Sequence, residues 1–171
     1  MWPWGHAALG YLLGRPIVPV ENGHGLPYLA LLFGTQFPDL VDKPLAWSVA
    51  ILPTGRSLAH SLLTLALLVG IAWLITNRID REEHAIAFGI GYASHLLGDS
   101  LHSIVNLEFQ SLTFLLWPIL ASPTYDTDPS FSAHIANLQL TPWLWLEFAL
   151  LATAVVVAAW TEYEHRAQEQ F

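Results

Sequence analysis

Long apolar runs, broken at a few points by His and Asp, set the pattern of this chain. Leu58 to Thr76 runs for 19 residues without a formal charge. At about 1.5 Å per helical residue it covers roughly 28 Å, close to the thickness of a bilayer core. Thr141 to Trp160 is a second such run. Pro142 suits its first turn, where the missing N–H costs nothing, and Trp143, Trp145 and Trp160 stand at interfacial positions. Glu147 is the only charge inside it. His84 to Val105 has the length of a third span, but His95, Asp99 and His102 within it must face protein or water. Ahead of these, the pattern predicts two shorter apolar helices, about Trp4 to Leu13 and Leu26 to Phe37. A turn containing Pro16, Pro19, Gly23 and Gly25 separates them. Leu112 to Leu120 is too short to cross and ends near Pro118 and Pro123, which predicts a re-entrant or interfacial segment.

The expected fold is therefore all-α, a polytopic membrane helix bundle. It has about four to five transmembrane or partly inserted helices and one short re-entrant segment. Residues 1–171 form a single integral-membrane domain, with the polar motifs in about 1–105 and a C-terminal span over about 141–160.

Composition strengthens this picture. The chain is 54% hydrophobic and 12% charged, where a soluble domain carries about 25% charged residues. Zero Cys removes disulfides, thiolate metal sites and cysteine nucleophiles together, leaving His, Asp and Glu as the strong metal ligands. Six Lys and Arg against fourteen Asp and Glu, a formal net charge of −8, argue against a nucleic-acid partner, which needs clustered cations. Met1 to His6 lacks a basic leader region, so insertion by uncleaved spans is expected. Arg78 and Arg81 form the densest basic loop, which the positive-inside rule places in the cytoplasm, and Arg166 agrees. The expected location is the cell membrane, multi-pass, with Asp39, Asp42, His60 and His102 toward the extracytoplasmic face.

Those polar interruptions carry the chemistry. His95 and Asp99 are four apart and His102 is seven from His95, so all three project from one helix face. An imidazole and a carboxylate at that spacing can share one divalent ion, or they can form a buried hydrogen bond between helices. Asp39 and Asp42 follow an apolar helix across Pro38, where two nearby acids repel unless a cation lies between them. Alternatively, Asp39 caps a following helix, and Lys43 neutralises a neighbour. His60 falls in the first turn of a predicted span, after Arg56. His6 opens the first helix, beside Trp2 and Trp4, where it could equally be an interfacial anchor. Four separated segments thus each bring His or Asp to an apolar helix end. Such a set suits one Zn-type ion with an open position, or two ions sharing a carboxylate.

The blocks Gly5-His6, Gly34-Thr35-Gln36-Phe37-Pro38-Asp39-Leu40-Val41-Asp42, Arg56-Ser57-Leu58-Ala59-His60-Ser61 and Ser94-His95-Leu96-Leu97-Gly98-Asp99 resemble, in order and spacing, the YdjM family of membrane-bound, metal-dependent hydrolases. The resemblance covers about the first hundred residues. It implies His6, Asp39, His60, His95 and Asp99 as metal residues, with Asp42 and Arg56 close by. Gly55 and Ala59 depart from the family pattern, which often has His before the Arg and Thr before the His-Ser pair. The expected function is hydrolysis assisted by a divalent metal, Zn first and Mn or another ion next. Asp42 would accept the proton of water, Arg56 would stabilise an oxyanion or phosphate oxygen, and His102 would orient Asp99. A site at the apolar boundary favours small or lipid-like substrates, phosphoester or ester, reached from membrane lipid. The alternative is a non-enzymatic membrane protein, either a proton or divalent-cation pathway or a metal-stabilised structural module.

Overall fold

The structure is a computed structural model that describes residues 1–18, 25–123, 130–136 and 138–168. Its helices are α1 (Pro3–Gly14), α2 (Leu26–Trp47), α3 (Leu62–Thr76), α4 (Glu82–Val105), α5 (Phe131–Ala136) and α6 (Pro142–Gln168). Short 3₁₀ turns at Asn77–Ile79 and Phe109–Leu116 follow α3 and α4. The all-α expectation holds for the described residues. Much of the Pro and Gly turn expected between α1 and α2, including Pro19 and Gly23, lies outside them.

Two segments among the described residues are long and apolar enough to cross a membrane, Leu62–Ile79 and Pro142–Glu164. Four to five were expected. At 12 residues α1 reaches only about 18 Å, while α2 and α4 interrupt their apolar character with Asp and His. None of the residues of α3 is buried, although they are almost wholly apolar. A helix apolar on every side, with no residue fully buried by protein, requires a hydrocarbon solvent.

Two boundaries differ from the sequence expectation, and both move site residues. The second helix does not stop at Phe37. It continues through Pro38 and Pro44 to Trp47, so Asp39 and Asp42 lie inside it rather than in a turn beyond it. An interior proline costs a helix about 3 kcal/mol, which tertiary contacts of α2 offset, since Pro38 and Asp42 are both buried. The third helix, in turn, starts at Leu62 rather than Leu58. Arg56 to His60 form an irregular approach to it, and Ser61 caps it by accepting the Leu63 N–H at 3.1 Å.

α2 packs most extensively on α4, α1 lies against both, α6 rests on α1, and α3 packs on α4. The α2–α4 contact is backbone against backbone. A Cβ added at Gly34 would come within 2.3 Å of the Phe88 carbonyl oxygen, and one at Gly91 within 2.0 Å of the Leu31 carbonyl oxygen. Small residues of this kind let membrane helices approach closely and gain dispersion contacts. Tyr92, beside Gly91, is fully buried and donates its hydroxyl to the Ala59 carbonyl, tying the irregular segment to α4. At the other edge, Glu147 of α6 accepts the Trp2 N–H at 2.9 Å, and its carboxylate sits over Gly5.

Gly91→Ala is expected to push α2 and α4 apart and destabilise the protein by about 1–3 kcal/mol. Gly70→Ala, where an added Cβ meets nothing within 4 Å, is expected to be neutral or mildly stabilising. Thermal unfolding of both variants in the same detergent checks this; equal melting temperatures would refute the close contact.

Candidate metal centre

Three helices and one loop converge at the end of α3 opposite the Arg78 and Arg81 turn. α1 supplies His6, α2 supplies Asp39 and Asp42, the approach to α3 supplies Arg56 and His60, and α4 supplies His95 and Asp99. His6, Asp42, His60 and His95 have no solvent exposure, and Asp99 is nearly closed off. Burying this many ionisable groups at a membrane-facing bundle is expensive unless each finds a counter-charge.

Hydrogen bonds fix the orientation of two imidazoles. His95 Nδ1 lies 2.7 Å from the Thr35 carbonyl oxygen, which can only accept, so Nδ1 carries the hydrogen and Nε2 presents its lone pair. His60 Nδ1 lies 2.8 Å from Asp42 Oδ2. Asp42 also accepts the backbone N–H groups of Ser57, Ala59 and His60, at 2.8, 2.8 and 3.2 Å. The backbone groups can only donate, so Asp42 is the acceptor in each of these bonds. It takes the Nδ1 hydrogen of His60 and leaves Nε2 bare as well.

The two bare nitrogens face each other at 3.1 Å. Two lone pairs at that separation repel unless a proton or a metal ion stands between or beside them. Burial alone would make His60 harder to protonate, but its contacts with Asp39, Asp42 and Asp99 outweigh burial and push its pKa up to about 10. The surroundings therefore attract positive charge at this point. Asp39 Oδ1 is 3.5 Å from His60 Nε2 and 3.8 Å from His95 Nε2, while Asp99 Oδ2 is 3.5 and 3.9 Å from the same atoms. His6 stacks on His95 with ring centroids 3.8 Å apart. Its Nε2 is 3.2 Å from Asp99 Oδ1, yet neither of its ring nitrogens forms a hydrogen bond. A fully buried imidazole left this way costs about 1–3 kcal/mol unless something else binds it.

Two overlapping donor sets fit a metal ion, His6 with Asp39 and His95, and His60 with His95 and Asp99. All ligand atoms within each set lie within 4.8 Å of one another. Two imidazoles and a carboxylate are the donor types of open, catalytic zinc sites. The five residues expected as ligands are thus brought together. Arg56 reaches the same place, with its Nε 2.8 Å from Asp99 Oδ2 and its guanidinium over the Phe114 ring. His102 is not brought in; its ring contacts Asn106 and Trp143. His24 and the side chains of His134 and His165 lie outside what is described.

A family model for the YdjM inner membrane protein matches residues 1–167. The chain belongs to the YdjM family. No curated protein and no solved structure matches it. Membership extends the resemblance from the first hundred residues to nearly the whole chain, so α6 is part of the YdjM unit rather than an appended span. The exposed apolar helices agree with a membrane location.

Several supporting residues carry no motif of their own. The Thr35 carbonyl orients His95, Lys43 pairs with Asp39 one helical turn away, and Tyr92 and Glu147 hold the loop and α1. The sequence alone offers Lys43 as a neutraliser of one of the two acids, and the structure gives it Asp39, four positions before it on α2.

Asp42→Ala removes the acceptor of three buried backbone N–H groups, each costing about 1–3 kcal/mol when orphaned. Amide hydrogen exchange across Ser57 to Ser61 is expected to accelerate by orders of magnitude, with α6 unchanged; unchanged protection of that segment would refute this account of the loop.

Proposed function

We propose that this membrane protein is a metal-dependent hydrolase working at one face of the bilayer. The observation that carries this is the pair of bare imidazole nitrogens, His60 Nε2 and His95 Nε2, facing each other with two carboxylates beside them. Either a proton on His60 donated to His95 or a metal ion bound by both rings satisfies that geometry, and the two carboxylates beside them favour either cation. His60, His95 and Asp99, with His6 and Asp39 adjoining, would hold one divalent ion, or two sharing His95. Zinc suits the nitrogen and oxygen donors best, with Mn next. Such an ion supplies Lewis acidity, acidifying a water and polarising an ester or phosphoryl oxygen.

This chain's own residues take distinct roles around it. Asp42 was expected to accept the proton, but its oxygens are engaged by three N–H groups and His60. It orients His60, in the manner of the carboxylates behind metal-bound histidines. Asp39 is better suited to move a proton, because Oδ1 faces the imidazoles while Oδ2 meets Lys43 toward the surface. Arg56 is the most exposed charged group of the centre. Its planar fork can meet a developing oxyanion while Nε stays on Asp99. Lipid-like phosphoesters and esters are the substrates proposed, reached from the membrane. The Arg78 and Arg81 turn lies at the far end of α3, so by charge bias the centre faces away from the cytoplasm.

Elemental analysis of the detergent-purified protein is expected to find about one or two equivalents of Zn or Mn. His95→Ala and Asp99→Ala, checked for folding, are expected to lose it, and Asp42→Asn to bind it about 10–100-fold more weakly. Wild-type protein that carries no metal and cannot be loaded would end the hydrolase reading. In the loaded protein, Arg56→Lys is expected to keep the metal and lose about 10²–10³ in turnover of chromogenic phosphoesters or esters.

A further inference from the structure

His6 has no solvent exposure, and neither of its ring nitrogens forms a hydrogen bond. Its Nδ1 faces α4, where a Cβ added at Gly98 would lie 3.1 Å away. Its Nε2, across the ring, is 3.2 Å from Asp99 Oδ1. Two polar atoms that close ordinarily share a hydrogen. Two donors of one ion do not, because each aims at the ion from about 2.1 Å and they come to about 3 Å of one another without aiming at each other.

Ring orientation decides which ion His6 can meet. An imidazole nitrogen holds its lone pair in the ring plane, and a metal binds along it. The His6 and His95 rings lie face to face, with centroids 3.8 Å apart and planes 16° from parallel. An ion close to both nitrogens would sit between the two planes, where neither lone pair points. His60 and His95 differ. Their rings stand at 66° with the Nε2 atoms 3.1 Å apart, the separation of two donors about 2.1 Å from one ion at an angle of roughly 95°. Stacking thus divides the overlapping donor sets, so that His95 goes with His60 and His6 goes elsewhere. Asp99 spans the division. Its Oδ2 faces His60 and His95 at 3.5 and 3.9 Å, and its Oδ1 faces His6. The amino group of Met1 is 2.8 Å from the same Oδ1, so positive charge already collects on the His6 side. A donor atom of Asp39 lies within 4.8 Å of one of His6 as well.

We propose that His6 does not ligate the ion held by His60 and His95 but binds a second divalent cation together with Asp99 Oδ1, with Asp39 in reach and the Asp99 carboxylate bridging the two ions. The inference rests on the metal reading of the centre. It gives a partner to a buried ring that has none, and it uses both oxygens of Asp99. Ions paired about 3.5–4 Å apart recur in hydrolytic centres.

The test strips the full-length protein of metal in detergent and titrates it with Mn(II), counting bound ions and recording electron paramagnetic resonance at each point. Wild type is expected to take up about two equivalents, the second replacing the sharp hyperfine pattern of an isolated ion with the broadened spectrum of a coupled pair. His6→Gln, checked for folding by circular dichroism and melting temperature, is expected to stop at about one equivalent and to keep the isolated-ion spectrum at saturation. Gly98→Ala, which presses on His6 and removes no donor, is expected to weaken the second ion about ten-fold and leave the first unchanged. Wild type that saturates at one equivalent, or that binds two ions without coupling, overturns the proposal and leaves the metal reading standing, whether or not any variant folds. Folded His6→Gln that still holds a coupled pair, or that loses both ions, overturns it as well, the latter by placing His6 on the first ion. A wild-type protein that binds no Mn(II) overturns the metal reading and the proposal together.

Discussion

Everything at the centre depends on how closely α2 and α4 approach. Backbone meets backbone at Gly34 and Gly91, and that distance decides whether the Thr35 carbonyl can reach His95 and whether Asp39 lies within 4 Å of its ring. The contact sits about one turn from the ligands on both helices. In a lipid environment it gains nothing from water exclusion between helices, so it relies on dispersion and on the absence of side chains at those two positions. Polar atoms then complete what the glycines begin, because an unsatisfied imidazole or carboxylate at this depth has no water to turn to.

The charges form a second layer of the same design. Each acid has its own partner: Asp39 has Lys43, Asp99 has Arg56 and the amino group of Met1, and Asp42 has the N–H groups of the loop together with His60. With the acids balanced outward, their inward oxygens and the imidazole nitrogens share one small volume. The balance is local. A chain with a net charge of −8 places two of its six cations here, where screening is weakest and each charge counts most.

Much of this was legible in the sequence. The two spans and the all-helical class follow from apolar run length, and the expense of polar groups in such runs marks the segments that carry His and Asp, while the set of five candidate ligands follows from the resemblance to the YdjM blocks. The two misplaced boundaries err in opposite directions. At Pro38 a local signal for a helix end is overruled by the burial of α2, and at Leu58 to His60 a charge-free run that reads as helix is held irregular by the N–H groups that Asp42 accepts. Asp42 inside α2 is satisfied by residues 57, 59 and 60, a pairing no local window contains. His102 erred the other way. It shares the helix-face spacing of His95, yet it lies near the end of α4, where it meets Asn106 and Trp143 instead of Asp99. Glu147 was noted as a lone acid in a span. Only the fold shows that its partner is the Trp2 N–H, 145 positions away.

That last bond bears on the order in which the protein is made. His6 enters the centre on α1, and the start of α1 is held by a side chain from α6, 145 positions further along the chain. At about 5–20 residues per second, His6 emerges several seconds before the helix that will hold its own in place. During that interval the donors on α2 and α4 exist without a fixed α1 beside them. A nascent chain therefore cannot fix α1 at its centre until α6 has been inserted.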